Sequence, residues 1–185
     1  LLEVLRRAPE TPKPGEAIFD TVHNVSRGSN ELAAQAARRE AEARGLHAVL
    51  GRTDWQGEAR AVAIALCRDF KAGLTVPRPF VSIAGGETTV TVRGPGRGGR
   101  NQELALAAVR ELADVSGVMW VSLATDGDDG PTDAAGAVVT GETPRRAETL
   151  GLAPEDYLNR NDAYSFFEAL GDLLKPGPTG TNVND

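Results

Sequence analysis

Five β-branched residues in a row, Thr88-Thr89-Val90-Thr91-Val92, run into a six-residue stretch holding four glycines, Gly94-Pro95-Gly96-Arg97-Gly98-Gly99. An Ala- and Leu-rich segment follows. β-branched side chains suit a strand. In the segment from about Asn101 to Ala113, Leu104, Ala108 and Leu112 share one face, as do Ala105 and Val109, which is helical spacing. A strand that passes through a tight loop directly into a helix is the unit of α/β layering.

The rest of the chain repeats that alternation. Three prolines at 9, 12 and 14 break any helix, so residues 1–20 read as a helix end and a linker. A strand is expected at Thr21–Val25, a helix at about Glu31–Arg44 capped by Ser29 or Asn30 and stopped by Gly45, and a strand at Leu46–Leu50. Glu58–Lys71 reads as a helix with Val62, Leu66 and Phe70 on one stripe. Strands are expected at Phe80–Ala84 and Thr88–Arg93, with Gly85-Gly86-Glu87 as the tight turn between them. That connection is too short for a parallel crossover, so the sheet should be mixed and flanked by helices. Val118–Ala124 reads as a buried strand, 125–133 as a polar loop and Ala134–Val139 as a strand. The chain to Leu174 should be mostly helical, with Asp162 as a cap.

Charge and cysteine usage narrow the function classes. With 20 Lys and Arg against 26 Asp and Glu, the net charge of −6 argues against a nucleic-acid partner. No apolar stretch approaches the roughly 20 residues that span a bilayer, so no membrane is expected. The single Cys67 fits a reducing cytoplasm and reads as a small buried hydrophobe. His23 and His47 lack partners at ligand spacing, and no serine sits in a nucleophile-elbow sequence.

Four clusters hold more polar and glycine residues than packing requires. The loop Gly94–Gly99 precedes a helix start, where unpaired N–H groups favour an anion, and Arg93, Arg97 and Arg100 add positive charge. Its spacing matches a dinucleotide fingerprint and nearly a P-loop, with Arg100-Asn101 where Lys-Ser/Thr belongs. Gly85-Gly86-Glu87-Thr88 is either a plain turn or a set of ligand-facing amides. In Thr125–Asp133, four carboxylates could hold Mg²⁺ or orient a hydroxyl. Gly177–Asp185 has the composition of a disordered tail.

Taken together, these words form a pattern. Gly85-Gly86-Glu87-Thr88-Thr89-Val90-Thr91-Val92, Gly96-Arg97-Gly98-Gly99-Arg100-Asn101-Gln102-Glu103, Ala124-Thr125-Asp126-Gly127 with Asp129-Gly130 and Thr132–Ala137, Asn161-Asp162-Ala163-Tyr164 and Gly177–Asp185 occur in that order. The sequence resembles the MOFRL domain of class II glycerate kinases over residues 79–185. Thr11–Gly15 and Gly28-Ser29-Asn30 are similar to the same proteins upstream.

The resemblance implies ATP-dependent phosphorylation of D-glycerate at its 2-hydroxyl, with Mg²⁺, to give 2-phosphoglycerate. It implies two α/β domains facing across a cleft. Residues 21–185 would be the C-terminal, substrate-side domain, and 1–20 the link from a Rossmann-like domain that carries a catalytic Lys and Asp. That domain, and a strand after Asn-Val-Asn-Asp, fall outside these residues, so the chain alone is expected to be an inactive fragment. Arg100 is the expected catalytic residue, binding the glycerate carboxylate or the transferring phosphoryl group. Substrate contacts are expected at Gly85, Gly86, Glu87, Thr88, Arg97, Gly98, Gly99, Asn101, Glu103, Asp126, Asp129, Thr179, Thr181 and Asn182, with Asp126 and Asp129 as metal ligands. Two rivals stand beside this reading. One is an NAD(P)H-dependent hydroxypyruvate reductase, for which Pro95 and Arg97 crowd the loop and the acid Asp114, 20 positions after Gly94, sits at a helix end. The other is a non-catalytic ligand-binding module.

Overall fold

The computed structural model describes residues 2–23, 28–113 and 115–183. Its elements are α1 (Leu2–Arg7), α2 (Asn30–Ala43), β1 (His47–Leu50), β2 (Trp55–Glu58), α3 (Ala59–Ala72), β3 (Phe80–Ile83), β4 (Gly86–Thr89), α4 (Arg100–Glu111), β5 (Met119–Leu123), β6 (Gly136–Thr140), α5 (Thr143–Thr149), α6 (Pro154–Asn159), α7 (Ala163–Leu170) and β7 (Leu173–Leu174). This is the mixed α/β class that the sequence suggests, built from small sheets with helices against them. Residues 6–23 are exposed throughout. No strand forms at Thr21–His23, and the rest of that expected strand, Asn24 and Val25, lies outside the described residues.

The first half is an interrupted parallel ladder. β1 pairs with β3 from His47 opposite Phe80, and β2 pairs with β4 from Trp55 opposite Gly86. Between the two stretches, Gly51 N donates to Ile83 O, Gly85 N to Arg52 O and Trp55 N to Gly85 O. The expected tight turn at Gly85–Glu87 is therefore corrected: the chain does not reverse there but continues as a strand. Gly86 (φ +154°) lies so close to Trp55 that a Cβ would run into that residue's backbone. Parallel order comes from the α3 crossover rather than from a hairpin. The strand expected at Thr88–Arg93 ends at Thr89, because its partner stops at Glu58, where α3 begins.

The second half is an antiparallel sheet in the order β5-β6-β7. α4 packs against it and against α3, so it stands at the centre of the core. Ala105, Leu106, Ala108 and Val109 of α4, with Leu112 at its end, meet Phe166 and Phe167 of α7 and Val139 of β6 there. Cys67 joins this cluster, and burial pushes its thiol up to about 12. β5 is not the buried strand expected. It is an edge strand whose Met119, Val121 and Leu123 are exposed, while Trp120 and Ser122 face inward. An apolar groove of about 970 Å³ runs between β3 and β5.

Candidate functional site

The start of α4, the loop before it and the loop after β5 meet at one end of the molecule. Asn101 and Gln102, in the first turn of α4, donate their backbone N–H groups to the two carboxylate oxygens of Asp129, at 3.1 and 2.8 Å. Gln102 also donates its side-chain amide to Asp129 O (3.2 Å) and to Thr132 Oγ1 (2.8 Å). Gly99, the residue before the helix, has no room for a Cβ because Asp129 lies against it. Asp129 is buried, and that burial pushes its carboxyl above the ordinary range although the two N–H bonds and the Arg100 charge pull it down.

This corrects two expectations. The anion at the helix N-terminus is the chain's own Asp129, so no phosphate has access to the Asn101 and Gln102 amides. Asp129 also has both oxygens engaged by these amides, and no second acidic ligand converges with it in a group of three among the described residues. Glu103 lies deeper. Its buried carboxylate is bound by Arg60 Nε at 2.6 Å and by Asn161 Nδ2 at 3.0 Å, which ties it into the packing behind the loop.

The glycine loop is held by the segment joining α6 to α7. Asn161 Oδ1 accepts from Arg93 N (2.7 Å) and Gly94 N (3.0 Å), Arg160 O from Gly96 N (2.9 Å), and Asp162 Oδ1 from Arg97 N (3.1 Å). Gly94 and Gly96 press on the backbone of Arg160 and Asn161, where a Cβ would clash. The N–H groups of Gly98 and Gly99 carry no partner among the described residues. Both residues are half-buried. The Arg97 guanidinium stacks over Tyr164 at 4.1 Å, and Lys175 approaches the same ring and bonds the phenol oxygen at 2.7 Å.

Arg100, the first residue of α4, is 31% exposed and lies 3.6 Å from Glu87 of β4. Gly85, Gly86, Thr88 and Asn101 line the polar end of the β3–β5 groove. Asn101 Oδ1 accepts from Ser122 at 2.9 Å, and its Nδ2 is buried with no partner among the described residues.

The C-terminal segment, which composition reads as a disordered tail, is bound to the loop after β5. Thr179 N donates to Asp126 O (3.0 Å), the Thr179 hydroxyl to Thr125 O, Asn182 Nδ2 to Asp126 Oδ2 (2.9 Å) and Val183 N to Thr125 Oγ1 (3.2 Å). Thr181 N turns back onto Thr179 Oγ1. Gly127 (φ +98°) packs on Gly177 with no space for a side chain. Asn184, Asp185 and Asp114 lie outside the described residues. Among those described, no three His, Cys, Asp or Glu side chains converge as a metal site. Asp126 is already occupied by Asn182 and the Asp128 N–H.

Sequence reasoning missed Arg60 and Lys175 as parts of this end of the molecule, and it named Asn161 and Tyr164 only within a motif, without a role. Asp162 stands at the start of α7 as expected of a cap. Its carboxylate, however, serves Arg97 N, Ser165 Oγ and Arg160 Nε rather than the first turn's amides.

Comparison with known proteins gives this geometry a context. The MOFRL family matches residues 80–185. The D-glycerate 2-kinase of Thermotoga maritima is 40% identical over 99% of this chain and 44% of its own length. A putative hydroxypyruvate reductase of Agrobacterium vitis is also 40% identical, over 98% of this chain and 42% of its own. The crystal structure of glycerate kinase from Thermotoga maritima superposes with a TM-score of 0.81 at 41% identity, covering 85% of this chain and 39% of that one. The chain thus spans less than half the length of each of these relatives.

Proposed function

The chain belongs to the MOFRL family, and we propose that it is the substrate-side part of a glycerate kinase, which transfers a phosphoryl group from ATP to the 2-hydroxyl of D-glycerate and yields 2-phosphoglycerate. The observation that carries this reading is the start of α4. There the partnerless Gly98 and Gly99 N–H groups and the Arg100 side chain lie together in a loop whose other amides are fixed. Fixed donors beside a guanidinium suit a small carboxylate or a phosphoryl oxygen. Phosphoryl transfer needs positioning and charge neutralisation more than covalent chemistry. Arg100 neutralises the substrate carboxylate or the transferring group, and the glycine amides orient it. Thr179, Thr181 and Asn182 close the neighbouring edge by fixing the Asp126 loop.

ATP and Mg²⁺ belong to this reading as co-substrate and metal of the whole enzyme. The residues here do not fit a nucleotide-phosphate cradle, because Asp129 caps α4. They do not fit a metal cage either, because Asp129 is fully engaged and no triad of ligands converges among the described residues. In this reading both groups are held by the other side of the cleft. The reducing cytoplasm expected from the single cysteine remains part of the reading. Among the described residues no helix is long and apolar enough to cross a membrane.

The reductase reading has support from the name of the Agrobacterium relative. The geometry favours the kinase. A dinucleotide pyrophosphate needs the amides at the helix start, and here a buried carboxylate holds them, while Gly94 and Gly96 serve close packing on Arg160 and Asn161.

The test is an assay of the full-length polypeptide with ATP, Mg²⁺ and D-glycerate, with the product identified by phosphorus NMR. 2-Phosphoglycerate is expected, and an NADH-dependent reduction of hydroxypyruvate with no phosphorylation would replace the reading. Arg100→Lys should lower kcat about a hundredfold, since an ammonium cannot reproduce a guanidinium fork. Turnover within twofold of wild type would remove Arg100 from the mechanism.

A further inference from the structure

Asn161 belongs to a sequence motif for which the proposed function supplies no role. We infer that it is a positioning residue, whose carboxamide locks the glycine loop so that Gly98, Gly99 and Arg100 are held in place at the start of α4. The consequence for turnover rests on the glycerate kinase reading. The clamp itself rests on geometry.

Asn161 is the one non-glycine residue with positive φ among those described, at +55°. Left-handed backbone disfavours most L-residues, and asparagine is among those that tolerate it. The conformation turns the side chain back into the protein, where the residue is only 7% exposed. Every part of the amide is then used. Oδ1 accepts from both Arg93 N and Gly94 N, and Nδ2 donates to Glu103 Oε2 at 3.0 Å and to Thr91 O at 3.4 Å. Glu103 continues the connection to Arg60 of α3, whose other nitrogen reaches Leu158 O at the end of α6. The side chain thus joins the loop, α4, α3 and α6.

Chemistry singles out asparagine at this position. Glycine would adopt the backbone more easily but leave two loop N–H groups and one carboxylate oxygen of Glu103 without their partner. Aspartate would keep the acceptor for the loop but set a second buried carboxylate against Glu103. These two variants therefore break different halves of the clamp. Asn161→Gly frees the loop, while Asn161→Asp keeps the loop bonds and strains the packing behind them.

Trypsin reads the loop directly, because it cuts after Arg93, at the loop's entry, and after Arg97, within it. The full-length protein and both variants are digested under native conditions. Fragments are identified by mass, and unfolding midpoints and D-glycerate kinetics are measured on the same samples. Asn161→Gly is expected to have a lower unfolding midpoint but to be cut after Arg93 and Arg97 at least tenfold faster than wild type under conditions where it is folded, with kcat reduced tenfold or more. Asn161→Asp is expected to have a lower midpoint as well, but loop cleavage and kcat within threefold of wild type under conditions where it is folded. Cleavage that simply tracks the midpoint in both variants overturns the clamp. Faster cleavage in Asn161→Gly with unchanged kcat overturns the positioning role. If wild type makes no 2-phosphoglycerate, the kinase reading fails on its own, and the cleavage pattern still decides whether Asn161 holds the loop.

Discussion

α2 and α4 run for 14 and 12 residues, and each needs acceptors for the N–H groups of its first turn. α2 takes one from its neighbour in sequence: the Ser29 hydroxyl accepts from Leu32 N at 3.2 Å, at the surface. α4 follows a glycine that offers no side chain and takes a carboxylate from far along the chain, with both Asp129 oxygens on its amides inside the protein. A local cap stabilises one helix and little else. A distant cap makes the helix start depend on the loop after β5, so the three loops around Arg100 keep their geometry together or lose it together. It also decides chemistry, because it fills the place where the sequence pattern alone suggests a bound phosphate.

The first way to break this comparison is to remove each cap. Asp129→Ala leaves two buried N–H groups and the surrounding Gln102 network unsatisfied, and should cost about 3 kcal/mol in urea unfolding. Ser29→Ala should cost about 1 kcal/mol, the ordinary value of an N-cap. Equal losses would mean that Asp129 is only another cap. Trypsin cleavage at Arg97 should also rise in Asp129→Ala and stay unchanged in Ser29→Ala, since only the first change reaches the glycine loop.

The same contrast explains what was legible. Ser29, Gly45 and the apolar stripe of α3 act on residues within a few positions, so the helices could be read from the sequence almost to their ends. β2 could not. Trp55-Gln56-Gly57-Glu58 has neither alternation nor β-branched residues, and it forms because β4 lies beside it. Conversely, Val90 to Val92 look like strand and are not, because the neighbouring strand β2 has turned into α3. At the site, the loop and Arg100 stood out in composition, whereas the tail read as disordered and was tied to the site only by the resemblance. The identity of the helix cap, the Arg60–Glu103 pair and the hold of Asn161 on the loop depend on residues tens of positions apart, and no periodicity announces them.

The smallest expected effect sharpens the comparison most, because it concerns only the proton on Asp129. Burial raises its carboxyl above the ordinary 3.8, so the folded protein binds that proton more tightly than the unfolded chain does. The sign follows: stability contributed by this group is largest below 3.8 and is lost as pH rises through the raised value. Asp162 behaves oppositely. Burial pushes its carboxyl up, but the Ser165 hydroxyl, the Arg97 N–H and Arg160 together hold it below 3.8, so its contribution is present at neutral pH and is lost in acid. Asp129→Asn removes the first dependence, and its constant steric and hydrogen-bond cost does not alter a slope. The unfolding free energy of wild type relative to Asp129→Asn should therefore decline as pH rises above 3.8, while wild type relative to Asp162→Asn should climb over the acidic range below that. Two curves of the same sign would show that the α4 amides favour the Asp129 carboxylate more than burial penalises it. The distant cap would then differ from the local one in reach alone and not in its electrostatic cost.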